Sequence, residues 1–521
     1  MKKDMSSRTQ KVFVNSASVV ASRLVATLIR FITRTVFIYT LGQTYLGISG
    51  LFANILSMLS LSELGFGTAI VYELYKPLAE HNDKRLRILM KFYKQIYRIV
   101  AVVILLLGVC LFPFLPIIIK DYETLAEIGL NANVIYGIFL SESVLSYLFY
   151  AHYEYFLSAA QKEYVLNVVG ILVSFFQNAV QIVVLLVYRN FVLYLTVSAS
   201  FTVIRGLAVV LITKRYYPQL FIDEPERISK TEVVKLVKDC GAIFTNSLYN
   251  RVLYATDNIV ISSVVGLNAV ALYSNYLLFF TIIGSFIDSM QTVIQHSMGN
   301  LFSGESVEKK YELFEAINFF NIIFYGTAAV GLAICSDELM TVWIGRDYVI
   351  GHAFSILVGF EMLMKGTTYS MNQVRATTGV FQQMWYRPLI SAGFNIGVSI
   401  WLVNLIGIHG ALIGTIATYL FIDFAIDPFI VHKYSFFYYC RASRYLFKMI
   451  KYIVTVVLTG IIAWLLCAHI LTGLGWASAV IHIIFAGLSV PVVFLVLYRR
   501  TDECQYLESH IAFFRDRKQK T

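Results

Sequence analysis

Charged residues are scarce in this chain: Asp, Glu, Lys and Arg make up only 14% of its 521 residues, whereas hydrophobic residues make up 58%. Soluble domains contain about 25% charged residues, so the composition excludes a soluble enzyme with a single membrane anchor. Only eight prolines are present, and no Gly/Ser tract occurs, which argues against a disordered or linker-rich chain. The composition therefore indicates a polytopic integral membrane protein.

The motifs of metal, disulfide and nucleotide sites are also missing. The six cysteines form no CxxC pair and no Cys/His spacing, so we expect neither a disulfide framework nor a metal site. No GxxxxGK[ST] loop and no HExxH pair occurs. The longest polar stretches, 74–98 and 214–238, are too short for a folded domain. We therefore expect no cofactor and no enzymatic domain, which leaves transport within the membrane.

Long apolar runs occur along the whole chain. A helix needs about 20 mostly apolar residues to cross a bilayer, and the runs lack the alternation that is typical of barrel strands. The fold class is therefore predicted to be all-α and polytopic, with about fourteen transmembrane helices. The predicted spans lie near 12–40, 44–73, 99–119, 128–157, 164–187, 191–213, 239–265, 269–299, 313–335, 351–373, 382–404, 408–431, 450–471 and 476–498.

Basic residues concentrate in alternate connections between these spans. Lys and Arg cluster in 74–98, 214–238 and 499–521, whereas acidic residues such as Glu123 and Asp337 collect in the other connections. The positive-inside rule then predicts that both termini lie in the cytoplasm. The net charge of +10 follows from the same connections, so we interpret it as a topology signal and expect no nucleic-acid partner.

The chain also shows a weak internal repeat. The stretch 30–54 aligns with 254–278 at an offset of 224 residues, which matches Gly42 with Gly266, each at the predicted turn of a helical hairpin. Such a repeat is typical of transporters in which two bundles move about a central site by alternating access. The predicted domains are a six-helix bundle over 1–235, a second six-helix bundle over 236–432, and two extra helices with a cytoplasmic tail over 433–521.

Three segments carry a family resemblance. The run SLSELGFGTAIVYELYKPLAEHN (60–82) resembles the second helix and first cytoplasmic loop of the polysaccharide-export branch of the MOP superfamily. The segment 248–279 resembles its seventh and eighth helices. The segment 376–420, with its NIGVS and GIHGALIGT pieces, resembles its eleventh and twelfth helices. The resemblance extends over essentially the whole chain, and it is specific for the family but not for the substrate.

The resemblance implies a function and partners. Members of that branch resemble Wzx-type flippases, which move undecaprenyl-pyrophosphate-linked oligosaccharides outward across the bacterial cytoplasmic membrane for capsule, exopolysaccharide or O-antigen assembly. The implied partners are this lipid-linked oligosaccharide, membrane lipids, and the polysaccharide polymerase and glycosyltransferases of the same pathway. Two alternatives stay open: a MATE-like drug or cation antiporter, and, in a different class, a membrane-embedded polysaccharide polymerase.

The first predicted span contains three arginines. Arg23, Arg30 and Arg34 stand at i, i+7 and i+11, which places them on one helix face. Because charged residues at membrane depth are costly, we expect them to bind substrate, with guanidinium groups holding the pyrophosphate through bidentate hydrogen bonds. The alternative is ion pairing with carboxylates of neighbouring helices, such as Glu63.

The seventh predicted span contains a polar stripe. Asn246, Asn250 and Asp257 stand at i, i+4 and i+11, and Arg251 lies beside the stripe. Because such a stripe cannot face lipid, we expect these four residues to line the cavity and bind phosphate or sugar. Alternatively, they form a packed network in which Asp257 neutralises Arg251 or an arginine of the first span.

The eighth predicted span has a further polar face. Its members are Thr281, Ser285, Asp288, Thr292 and Gln295. Hydroxyl, amide and carboxylate groups suit sugar hydroxyls or a coupling ion, and Asp288 is included among the predicted substrate-binding residues.

The other charged residues in the spans are expected to pair with one another. Glu361 and Lys365 lie four residues apart, the spacing of a pair within one helix. Asp423 and Asp427 also lie one turn apart, near a predicted cytoplasmic end that water can reach. Pairing between helices is expected for Glu142, Arg205 and Arg387.

Overall fold

The computed structural model describes seven stretches of the chain. They are 27–60, 66–120, 122–222, 228–302, 305–380, 382–468 and 475–506. Within these stretches the secondary structure is helical throughout and contains no strand, so the predicted all-α fold class is confirmed. Arg23 and Glu63 lie outside the described residues.

The chain divides into two compact units, Met1–Ala271 and Leu272–Thr521, which we call the N-terminal and C-terminal units. The helices that begin in the N-terminal unit are α1 (27–41), α2 (Gln43–Leu59), α3 (Phe66–Ala79), α4 (Asp83–Leu111), α5 (Leu115–Ile118), α6 (Tyr122–Glu127), α7 (Ala132–Phe149), α8 (Ala151–Ala159), α9 (Glu163–Val187), α10 (Phe191–Tyr216), α11 (Lys230–Val264) and α12 (Leu267–Phe302). The prediction of two six-helix bundles and a C-terminal helix pair stays a prediction.

The remaining helices belong to the C-terminal unit. They are α13 (Val307–Trp343), α14 (His352–Thr378), α15 (Arg387–Ile406), α16 (Ile408–Thr418), α17 (Ala425–Tyr434), α18 (Ala442–Cys467) and α19 (Trp476–Tyr498). A π-helical turn, Tyr419–Phe424, connects α16 to α17. Such turns frequently occur at functional sites.

Ten helical segments of the described chain are long and apolar enough to cross a membrane. They are Asp83–Ile118, Ala132–Phe149, Glu163–Val187, Phe191–Tyr216, Leu267–Gln291, Val307–Trp343, Arg387–Ile406, Ile408–Tyr434, Ala442–Cys467 and Trp476–Tyr498. Many large apolar side chains on these helices point outward, among them Leu106, Leu211 and Val496, which are 60%, 65% and 74% exposed. The chain is therefore a multi-pass membrane protein, whereas the number fourteen stays a prediction.

Gly42 and Gly266 each join two consecutive helices, as the repeat predicts. Gly42 has a φ of 94° and a ψ of −171°, a conformation that is essentially restricted to glycine, and Gly266 has a φ of 129°. Residues at matching positions of the repeat are also in contact, because Thr44 Oγ1 lies 3.1 Å from Asn268 Oδ1. Gly47 packs directly on the backbone here: a Cβ at this position would collide with the Leu267 carbonyl oxygen.

Aromatic packing joins α4 to α8 in the N-terminal unit. Tyr93, Tyr97 and Phe156 are almost fully buried in one cluster with Leu89 and Leu157. The start of α4 is set by Asn82, whose side chain accepts a hydrogen bond from the backbone N–H of Arg85 at 2.9 Å. This packing and capping fix the rotation of α4, and therefore which of its side chains face α8.

Candidate functional site

Two of the three predicted arginines of the first span lie on α1. Arg30 is exposed, and Arg34, one turn later, is half-buried. Their spacing places both side chains on the same side of the helix, as the sequence predicts. Arg23, the third member of the predicted ladder, lies outside the described residues, so the ladder as a whole stays a prediction.

Arg251 of α11 contacts α2. Its Nη1 donates a hydrogen bond to Ser57 Oγ at 2.9 Å, and the side chain is half-buried. Among the side chains that the structure describes, Arg251 has no carboxylate within ion-pair distance. The Arg251–Asp257 pair that the sequence left open therefore does not form. Six residues separate the two on one helix, which turns them to different faces.

Asp257 lies further along α11 and is only 2% exposed. The structure thus buries it inside the protein, as expected for an ionisable residue of a predicted span. Asn246 and Asn250 also belong to α11, but their side chains lie outside what the structure describes. Whether the four polar residues of this helix act together stays a prediction.

Asp288 of α12 links three helices of the C-terminal unit. Its Oδ1 accepts a hydrogen bond from Tyr325 Oη of α13 at 3.2 Å, and its Oδ2 lies 3.4 Å from Lys365 Nζ of α14. Lys365 also lies 5.8 Å from the centre of the Phe280 ring. The predicted Glu361–Lys365 pair was therefore wrong. Spacing within one helix contributes only about 0.2–0.5 kcal/mol, less than a carboxylate and an aromatic ring on α12 can offer together.

The hydroxyls beside Asp288 are turned toward their own helix. Thr281 Oγ1 donates to the Leu278 carbonyl at 2.9 Å, and Ser285 Oγ donates to the Ile282 carbonyl at 2.9 Å. Both residues are exposed, so their oxygens can still accept hydrogen bonds. The side chains of Thr292 and Gln295 lie outside the described set, and the role of this polar face stays a prediction.

A buried ion network joins α14, α15 and α17. Arg387 Nε and Nη2 donate to the two carboxylate oxygens of Asp427 at 2.9 and 2.7 Å, and Arg387 Nη2 lies 2.5 Å from Asp423 Oδ1. Arg375 Nη1 adds a contact of 3.7 Å to Asp427. The four side chains are at most 5% exposed. Interhelical pairing of Arg387 is thus confirmed.

The same network corrects the expectation that water reaches Asp423 and Asp427. Both carboxylates are turned inward, onto arginines of the preceding helices, and are 2% and 1% exposed. Asp423 lies in the π-helical turn, which adds a residue to that turn and shifts the side chains that follow it. Two guanidinium groups and two carboxylates leave the network neutral, so its charges can be buried together.

Glu142 of α7 is bound by hydroxyl groups. Thr202 Oγ1 and Ser198 Oγ of α10 both donate to Glu142 Oε1, at 2.8 and 3.1 Å, and Gln177 of α9 donates to Ser198 Oγ at 3.1 Å. These are interhelical contacts, but Arg205 is not among them. Arg205 instead pairs with Glu154 of α8 at 2.8 Å, which confirms its interhelical pairing. The Ser-x-x-x-Thr spacing on one helix was the sequence signal for this site.

These features define an all-α, multi-pass membrane protein with charged and polar clusters on its helices. Comparisons with known proteins then identify the fold. No family model and no curated protein sequence matches the chain.

Two solved structures resemble the chain over most of its length. The lipid II flippase MurJ, in an inward closed conformation, superposes with a TM-score of 0.65 at 13% identity, covering 94% of this chain and 99% of that one. A multidrug resistance MATE family transporter of the MOP superfamily, in an inward-facing conformation, gives a TM-score of 0.55 at 12% identity, covering 83% and 99%. The chain therefore has a MOP-like transporter fold.

Proposed function

We propose that the chain is a flippase for a lipid-linked oligosaccharide, of the undecaprenyl-pyrophosphate class, and that it works by alternating access in the bacterial cytoplasmic membrane with both termini in the cytoplasm. The observation that carries this proposal is the difference in coverage between the two similar structures. The MATE transporter is matched almost completely, yet it accounts for only 83% of this chain. The lipid II flippase accounts for 94%.

The charge on α1 and α11 supports an anionic cargo. Arg30, Arg34 and Arg251 belong to the N-terminal unit, and Arg251 has a serine and not a carboxylate as its hydrogen-bond partner among the described side chains. The sequence predicts that α11 spans the membrane, where an arginine without a neutralising carboxylate is costly, and a pyrophosphate would compensate its charge. A cationic drug would instead be repelled.

The proposed mechanism assigns one task to each group. The arginines hold the pyrophosphate by charge-assisted hydrogen bonds. The lipid tail stays in the bilayer, and each conformational exchange opens the site to the opposite side of the membrane. The polymerase and glycosyltransferases of the same pathway would then act on the flipped product.

Flipping in proteoliposomes tests this function directly. A fluorescent prenyl-pyrophosphate-linked sugar is incorporated symmetrically, and the fraction in the outer leaflet is measured by quenching with a reagent that does not cross the bilayer. The wild-type chain should make nearly the whole pool accessible. Arg251→Gln should slow flipping at least about tenfold, the effect of losing one charge-assisted contact of about 1.5–3 kcal/mol.

A matched variant distinguishes loss of the positive charge at position 251 from loss of a positive charge elsewhere in the unit. Arg215 is exposed at the end of α10, so Arg215→Gln removes the same charge elsewhere in the same unit and should leave flipping unchanged. Wild-type protein that fails to move the probe, with correctly inserted protein in the vesicles, would count against the proposed function. Equal loss in both variants would count against a specific role of Arg251.

A second candidate, an ion-coupled drug or cation antiporter, is favoured by Glu142. This carboxylate lies on a candidate membrane-spanning helix, and its described partners are hydroxyls, so it can exchange a proton without breaking an ion pair. Efflux of ethidium against an imposed proton gradient distinguishes the two functions. Gradient-driven ethidium transport that Glu142→Gln abolishes, without flipping of the lipid probe, would favour the antiporter.

A further inference from the structure

A basic cavity of about 310 Å³ lies within the N-terminal unit, between α4, α8 and the 3-10 turn Pro218–Phe221. Four cations of α4 line it: Arg87, Lys91, Lys94 and Arg98. They stand at i, i+4, i+7 and i+11, so the helix presents all of them on one face. This volume is many times what a single water needs, and it leaves room for a phosphate or pyrophosphate group with its waters.

His152 forms the buried wall of the basic cavity. It is 1% exposed, and its ring packs on Tyr153 with 4.1 Å between ring centres. Neither ring nitrogen has a hydrogen-bond partner among the residues that the structure describes. Burying an unpaired polar group is costly, and most such groups in proteins find a partner. His152 therefore borders the cavity as a buried imidazole whose nitrogens have no described partner.

The charged residues that line the cavity are all cationic. No aspartate or glutamate is among its described lining residues. Lys94 and Arg98 are exposed and form no ion pair with any residue in the described part of the chain. Arg85, only two residues before Arg87 but on another face of α4, does pair with a carboxylate, Glu232, at 2.8 Å. Within the described part of the chain, Lys94 and Arg98 thus differ from Arg85 in having no carboxylate partner.

We propose that the basic cavity is a binding site for a phosphate-class anion, with Lys94 and Arg98 holding the phosphate oxygens and His152 donating a further hydrogen bond. Cationic side chains form short, charge-assisted hydrogen bonds with phosphate. The positive-inside pattern predicts the cytoplasmic side for 74–98 and 214–238, where both free phosphate compounds and anionic lipid headgroups occur. The proposal does not depend on the cargo that the chain transports.

Two sources could supply this anion, and the rim of the cavity is open to both. Phe221 and Ile222 line it and are 36% and 60% exposed, an apolar edge beside a cationic floor. This combination suits a phospholipid headgroup with its glycerol backbone. It also leaves room for a soluble pyrophosphate. The experiment therefore uses one probe for each source.

Binding is measured on the full chain with both probes. In nanodiscs of phosphatidylcholine alone, sodium pyrophosphate is titrated by calorimetry. In a separate arm, the chain is extracted from membranes that contain phosphatidylglycerol, and native mass spectrometry counts the retained lipid. Saturable pyrophosphate binding supports a free phosphate compound, whereas selective retention of phosphatidylglycerol supports a lipid headgroup.

The variants assign the binding to the basic cavity. Lys94→Gln with Arg98→Gln should weaken binding of the supported probe about tenfold or more, since hydrogen bonds to charged groups contribute about 1.5–3 kcal/mol each. Lys214→Gln with Arg215→Gln removes the same two residue types from exposed positions of α10 and should leave binding unchanged. His152→Phe keeps an aromatic ring without donors and should weaken binding about two- to tenfold.

Three outcomes would overturn the proposal. The first is that neither probe binds, and the second is that the Lys94/Arg98 variant binds as tightly as the wild-type chain. The third concerns Asp223, Glu224 and Glu226, which follow Ile222 in the sequence and lie outside the described residues. Binding that appears only after these three are changed to Asn and Gln would show that the chain's own carboxylates, and not an external anion, neutralise the cations of the cavity.

Discussion

Asp427 of the C-terminal unit and Glu142 of the N-terminal unit are both carboxylates on candidate membrane-spanning helices, but different groups surround them. Asp427 accepts two hydrogen bonds from Arg387 and has a second arginine at 3.7 Å. Glu142 accepts hydrogen bonds from Ser198 and Thr202. One site is an ion network, and the other is a carboxylate that accepts hydrogen bonds from two hydroxyl groups.

This difference separates a structural site from a site that can change protonation. In the ion network, the buried arginines and aspartates neutralise one another, so removing one member leaves an uncompensated charge inside the protein. At Glu142 no such neutralisation is required, because a hydroxyl can serve a charged or a neutral carboxyl as donor or acceptor. Proton exchange at Glu142 therefore leaves its neighbours in place, whereas proton exchange at Asp427 would break the network.

Removing Arg387 should have the largest effect on stability. Arg387→Met leaves Asp423 and Asp427 without their main cation, and we expect the free energy of unfolding to fall by about 3–5 kcal/mol, as for broken buried ion pairs. Thermal and denaturant unfolding in detergent measures this. Arg441→Met, at an exposed position of the same unit, should change stability little. A loss of under 1 kcal/mol for Arg387→Met would contradict the proposed interdependence of the network.

The combined variant sharpens this test. Arg387→Met with Asp423→Asn and Asp427→Asn removes the positive charge together with the carboxylates that depend on it. Because replacing a whole buried network is far less costly than breaking it, the triple variant should be more stable than Arg387→Met alone. If the three substitutions were simply additive, the charges would be acting independently.

Changing Asp427 alone should have the second largest effect. Asp427→Asn keeps the shape of the side chain but replaces a bidentate contact between two charged groups with at most one hydrogen bond from the guanidinium to a neutral amide oxygen. We expect a loss of about 1.5–3 kcal/mol, the contribution of hydrogen bonds to charged groups. Asp502→Asn provides a control at an exposed position. The same unfolding measurement checks the ranking below Arg387→Met.

The Asp288–Lys365 pair is intermediate between the two sites, because it is an ion pair but a partly exposed one. The Asp288 side chain is 44% exposed, and the contact distance is 3.4 Å. Lys365→Met should therefore cost only about 1 kcal/mol or less, since solvent screens the pair. Unfolding at low and high salt tests this interpretation: the difference between Lys365→Met and the wild-type chain should shrink as salt is added.

Much of the fold could be predicted from the sequence, but the partners of charged residues could not. Hydropathy alone predicts helices that cross a membrane, and the glycines at 42 and 266 mark helix junctions because their conformations require glycine. Which carboxylate faces Lys365 depends on how neighbouring helices are rotated and packed. Local spacing favoured Glu361, and a contact 77 residues away was formed instead.

The basic cavity is a second example of a site that could not be predicted from local sequence patterns. The spacing of Arg87, Lys91, Lys94 and Arg98 was visible in the sequence, but we interpreted these residues only as topology signals. In the structure these four residues line one cavity together with His152 of α8. Nothing local connects position 152 with position 94, because the contact arises from the aromatic packing between α4 and α8.

Glu142→Gln should have the smallest effect on stability. The Gln carbonyl can accept the hydroxyls of Ser198 and Thr202 as the carboxylate does, and removing a charge from an apolar span lowers the cost of burial. We expect the free energy of unfolding to change by no more than about 1 kcal/mol. For the antiporter candidate, in contrast, gradient-driven ethidium transport should be abolished, because the variant cannot exchange a proton.

Two variants show whether the hydroxyl groups stabilise the charged form of Glu142. One is Thr202→Val alone, and the other is the double variant Glu142→Gln/Thr202→Val. Thr202→Val removes a donor from Glu142 Oε1 and should cost about 1–3 kcal/mol while Glu142 is charged. In the Glu142→Gln background the same change should cost less, since a neutral amide depends less on that donor. Equal losses of unfolding free energy in both backgrounds would show that the hydroxyls do not stabilise the charge, and would remove this distinction between Glu142 and Asp427. Gradient-dependent transport that survives Glu142→Gln would show that another residue exchanges the proton.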